Sequence, residues 1–124
     1  MKDRPTHDRS LDVLLDLDGA VMVLDEAAEY WVKFEVRRVL VSGEQPHGLE
    51  YCLTLHGKNN QRLVGFDNAH PIRKRLGPGG KAATFDHKHR LKSIRPYEYR
   101  DAASLLSDFW AALDAILRER GILE

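Results

Sequence analysis

A chain of 124 residues, 43% of them hydrophobic, has the length of one ordinary domain and buries one modest core, so no second domain is expected. Its single cysteine, Cys52, and the lack of any long apolar run exclude an internal disulfide and a cysteine-based zinc knuckle, and they predict a cytoplasmic protein with neither a signal peptide nor a membrane contact. The net charge of +0 conceals polarity along the chain: residues 1–30 carry three Lys/Arg against eight Asp/Glu, whereas residues 70–100 carry nine against two.

Residues 1–10 are charged, contain a proline and show no periodicity, which predicts a flexible tail preceding one domain over 11–124. Leu11, Val13, Leu15 and Leu17 alternate with aspartates, and Asp18-Gly19 supplies a tight turn before Ala20 to Leu24; a β-hairpin is predicted, with a short helix through Leu11, Leu14 and Leu15 as the competing reading. Tyr30 to Val41 reads as a strand with Tyr30, Val32, Phe34 and Val36 inward, and a bulge near Arg37-Arg38 would bring Val39 and Val41 to the same face. Leu49, Tyr51, Leu53 and Leu55 mark another half-buried strand, and Gly57-Lys58-Asn59-Asn60 turns it into Arg62 to Asp67.

His70 to Lys81 combines Pro71, Gly77-Pro78-Gly79-Gly80 and the basic run Arg73-Lys74-Arg75, the composition of an exposed, mobile loop. Thr84 to Leu91 resumes the sheet with Phe85, His87, His89 and Leu91 on one face, and Pro96 closes that stretch. From the N-cap Asp101, the residues Leu105, Leu106, Phe109, Trp110, Leu113, Ile116 and Leu117 recur at helical spacing until Gly121. The expected fold is α+β: an antiparallel meander of about five to six strands with a C-terminal amphipathic helix packed on one face. Part of that helix stripe could serve a homodimer.

Three clusters carry candidate chemistry: Asp67-Asn68 with His70 at a strand end, the basic loop, and Asp86-His87-Lys88-His89-Arg90. His87 and His89, two apart on a strand, emerge on one face roughly 7 Å apart. Histidine exchanges protons near neutral pH, so the pair suits acid–base cleavage of RNA, with His70, Asp67 or Asp86 assisting. Phosphate would meet Arg73, Lys74, Arg75 and Lys81 of the loop, and Lys88 and Arg90 on the opposite face of the histidine strand. Asn68 reads as a structural turn residue. A metal held by His87, His89 and Asp67, as in a metal-dependent hydrolase or transferase, is the weaker alternative, since the lysines and arginines around it repel cations; no metal and no cofactor is expected. A module that grips RNA or protein without turnover is a further alternative.

The runs Tyr30-Trp31-Val32-Lys33-Phe34-Glu35, Leu53-Thr54-Leu55-His56, Gly65-Phe66-Asp67-Asn68-Ala69-His70, Asp86-His87-Lys88-His89 and Leu105-Leu106-Ser107-Asp108-Phe109-Trp110 together resemble the TumE family, toxin components of prokaryotic toxin–antitoxin systems. The resemblance covers Leu14 to Leu117 and includes the family's Asp-Asn at Asp67-Asn68 and its Asp-His-x-His at Asp86, His87 and His89. It implies a growth-inhibiting toxin neutralised by a cognate antitoxin, often a DNA-binding protein, with RNA or the ribosome as the target by analogy with small toxins of this type.

Overall fold

The computed structural model describes residues 8–42, 45–68 and 86–122, and the backbone of 72–73 and 82–83. The first described element is helix α1, Arg9–Asp16, the competing reading for this segment, in place of the first hairpin strand. Asp8 caps it by accepting from the Leu11 N–H at 3.1 Å. Leu11, Leu14 and Leu15 fall at i, i+3 and i+4, which a helix places on one face, and Leu14 is fully buried. The Asp-Leu alternation fits a strand equally well, but a strand would have sent Leu14 to solvent. Asp18-Gly19 does turn the chain: Gly19 has φ 83°, and the Asp18 carboxylate accepts from the Val36 N–H at 2.9 Å.

Strands β1 (Val21–Val23), β2 (Trp31–Arg38), β3 (Leu49–His56), β4 (Arg62–Asp67), β7 (His87–Arg90) and β8 (Ser93–Pro96) form one antiparallel sheet in that spatial order. Between β4 and β7 the short strands β5 (Ile72–Arg73) and β6 (Ala82–Ala83) pair with each other in a separate two-stranded ladder, so the segment expected as a loop contains paired backbone. The strand expected from Thr84 begins at His87; residues 84 and 85 lie outside those described. It also ends at Arg90, where Leu91, at φ 55°, reverses the chain into β8.

Helix α2 (Ala102–Glu119) and α1 cover one face of the sheet. Asp101 caps α2, accepting from Ser104 N–H at 2.7 Å. Gly121, at φ 76°, and Ile122 return their N–H groups to the carbonyls of Arg118 and Leu117, a Schellman stop. Leu105, Phe109, Leu113, Ile116 and Leu117 are buried against Phe34, Leu53 and Phe66 of the sheet, while Trp110 stays at the rim, 38% exposed.

The expected bulge at Arg37-Arg38 is absent: β2 pairs regularly with β3 through Arg38↔Leu49, and Leu40 and Val41 beyond it are exposed. A register shift occurs instead where Leu55 faces Val64 and His56 faces Arg62, leaving Leu63 as an extra residue on β4. Leu63 is fully buried, so apolar burial fixes the shift.

Candidate active site

In the β4–β7 ladder Asp67 pairs with His87, and Gly65 with His89. Side chains alternate along each strand, so Asp67, His87 and His89 share the face turned away from α2. One ligand atom from each lies within 4.8 Å of the others. His87 Nε2 is 3.7 Å from Asp67 Oδ2, and the two imidazoles meet edge to face with centroids 4.8 Å apart. Asp67 is 2%, His87 1% and His89 7% exposed.

Arg62 completes the cluster, and the sequence reading did not single it out. Plain alternation from Asp67 and Gly65 would point residue 62 to the helix side; the extra residue in β4 returns it to the histidine face. There its Nη2 lies 3.0 Å from His89 Nδ1. Gly65 supplies the room, because a Cβ at that position would sit 3.3 Å from Arg62 Cδ and 3.4 Å from His89 Cδ2. The misplaced phase at Leu63-Val64, two adjacent apolar residues inside an alternating strand, was the one signal in the sequence.

The Arg62 contact determines what His89 can do. A guanidinium only donates, so Nδ1 is the acceptor and neutral His89 carries its proton on Nε2. Burial first, then the charge of Arg62 and the neighbouring His87, lowers the His89 pKa to about 4 against the pull of Asp67. His89 is therefore a neutral N–H donor at physiological pH. A cation bound through its Nε2 would need that proton removed, and one bound through Nδ1 would need Arg62 displaced. Three donors are gathered, but a divalent metal there would need His89 to change tautomer and give up Arg62, whose charge repels a cation. Cys52, opposite Asp67 on β3, holds Sγ 3.9 Å from Asp67 Oδ2; burial, with Asp67 beside it, pushes the thiol up to about 12, which keeps it protonated.

The other candidate residues go elsewhere. Asp86 lies on the helix side, where it accepts from Tyr51 Oη at 2.6 Å and sits 3.5 Å from His47 Nε2. Lys88 and Arg90 also occupy that side, as alternation required. Asn68, fully buried, extends the β3–β4 pairing with its amide: Oδ1 accepts from Tyr51 N–H and Nδ2 donates to the Leu49 carbonyl, each at 2.8 Å. His70, Lys74, Arg75 and Lys81, and the Arg73 side chain, lie outside the described residues.

No curated protein and no solved structure matches the chain. The family model described as Toxin TumE matches residues 24–117, from the end of β1 to the last turns of α2, so that both strands of the Asp67–His87–His89 cluster fall inside the match, and the chain belongs to the TumE toxin family.

Proposed function

We propose that this TumE-family protein acts in the cytosol as a toxin that cleaves RNA at the Asp67–His87–His89–Arg62 cluster. The family supports the toxin role and, with it, an antitoxin partner; no described helix is long and apolar enough to cross a membrane. The observation that carries the catalytic reading is the 3.0 Å Arg62–His89 contact beside the Asp67–His87 pair. It separates one neutral donor from one histidine backed by a carboxylate. His87 takes the ribose 2′-hydroxyl proton as that oxygen attacks phosphorus, and Asp67 stabilises the imidazolium. His87 then returns the proton to the departing 5′-oxygen, leaving a 2′,3′-cyclic phosphate and a 5′-hydroxyl. The His89 Nε2–H and Arg62 stabilise charge on the phosphoryl oxygens. The loop cations Arg73, Lys74, Arg75 and Lys81 hold the flanking phosphates in this reading.

The near-complete burial of Asp67 and His87 favours a second reading, in which the cluster is a structural polar core and the toxin blocks a target by binding alone. Inducing wild type, His87→Ala and Arg62→Ala separates the two, with circular dichroism as the folding check. Cleavage predicts growth arrest and RNA fragments ending in cyclic phosphate for wild type, neither for the folded variants, and no loss of cutting on chelation. Arrest by all three chains with RNA intact would leave binding as the mechanism.

A further inference from the structure

The helix side of the same strands carries a second candidate site. Lys88 of β7 and Arg95 of β8 are Cα partners in an antiparallel ladder, so both side chains stand on the same face. Like charges placed directly opposite destabilise a strand pair. Arg90, two residues along, is neutralised by an ion pair with Glu119 of α2. Among the described residues no carboxylate pairs with Lys88 or Arg95. Asp108 of α2, on the same side, accepts from the Tyr97 hydroxyl at 2.6 Å.

These two cations, with Arg90, Asp108 and His89, line a groove of about 710 Å³ between β7–β8 and α2, within the usual range for small-ligand sites. The groove is open because α2 presents Ala111 and Ala112 there, and its apolar lining comes from those alanines with the rings of Phe66 and Tyr97, which meet edge to face at 4.9 Å. Two cations between Tyr97 on one side and Ser93 on the other, with an aromatic and aliphatic lining, describe a ligand with an anionic group and a flat, mostly apolar body.

We propose that this groove binds a nucleotide, with its phosphate between Lys88 and Arg95 and its base against Tyr97 and Ala112. Phosphate there relieves the repulsion between the two side chains, so binding and strand stability are coupled. The nucleotide is either free or one unit of an RNA strand; the recognition chemistry is the same. The site lies on the opposite face from His87 and does not depend on RNA cleavage.

Thermal melts of the full chain with inorganic phosphate, AMP, a short RNA oligonucleotide and a hexaglutamate peptide test this. At ten times the dissociation constant, AMP raises the melting temperature of wild type by about 5 °C and phosphate alone by less. Lys88→Ala/Arg95→Ala melts at or above wild type without ligand and loses at least tenfold in AMP affinity. Lys88→Glu, which turns the repulsive pair into an attractive one, likewise melts higher and loses the response. His87→Ala retains it, so a cleavage-dead protein still reports on the groove. A response to AMP but not to the oligonucleotide assigns the site to free nucleotides, and the reverse assigns it to RNA; both uphold the proposal. No response to AMP or RNA, an undiminished response in the double variant, or an equal response to hexaglutamate overturns it.

Discussion

Because Arg62 can only donate, its 3.0 Å contact with His89 Nδ1 has a consequence for protons. The folded chain holds His89 at about 4, against 6.5 for a free histidine. Between those values the unfolded chain binds more protons than the folded one, so His89 makes stability fall as pH drops through that window and has no effect on it above. In urea titrations at pH 7 and pH 5, wild type should lose stability on acidification and His89→Asn should lose less. Arg62→Ala should fall between them, since burial, the larger cause, remains. Equal losses in all three proteins would mean that His89 is not held neutral. Gly65 gives a second handle on the contact. Gly65→Ala forces a Cβ to 3.3 Å from Arg62 Cδ, which should cost about 1 kcal/mol. It should also push Arg62 off His89, impairing growth arrest in a chain that still folds.

At the scale of elements, α2 shows what local sequence specifies. Its N-cap Asp101 and its stop at Gly121 stand where capping chemistry puts them, and Asp101→Ala should cost about 1 kcal/mol in a denaturant melt. Strands β2 and β3 were legible from the alternation of their inward residues, Tyr30 to Val36 and Leu49 to Leu55, which leaves a period of two; β4, buried on both faces, was marked instead by the turn before it and its apolar residues. Strand β8 was not legible. Its turn uses Leu91 at φ 55°, a left-handed conformation normally signalled by Gly or Asn, and all four of its residues are exposed, so no alternation marks it. Leu91→Asn should therefore stabilise the hairpin by about 0.5 kcal/mol, and a loss of stability would show that Leu91 packs more than it strains. The candidate site was half legible. The pairing of Asp67 with His87 follows from joining neighbouring strands. The inclusion of Arg62 does not, because it depends on an extra residue in β4 that only the packing of Leu63 reveals. Asp86 precedes His87 in sequence, yet alternation sends it to the opposite face, to Tyr51 and His47.

Over the whole molecule, the charge asymmetry of the chain becomes an asymmetry across the sheet. The acidic residues near α1 and β1 lie toward one edge, and Lys88, Lys92 and Arg95 of β7–β8 at the other, with β3 and β4 between them. A polyanion is thus attracted to the β8 end and repelled from the β1 end. Strand β4 ties the two proposed sites together, since Asp67 faces the histidines and Phe66 faces the groove and α2. Phe109 is the residue that locks this arrangement: it is fully buried, with its ring 5.7 Å from Phe34 and 6.0 Å from Phe66. Phe109→Ala should cost about 3–5 kcal/mol, far more than losing the Asp101 cap. If sheet and helix form one cooperative unit, the variant will lose helical circular dichroism and tyrosine burial in a single, coincident transition at lower denaturant. A helical signal that melts first, with the sheet persisting, would mean that α2 can leave the groove while the Asp67–His87–His89 face stays assembled.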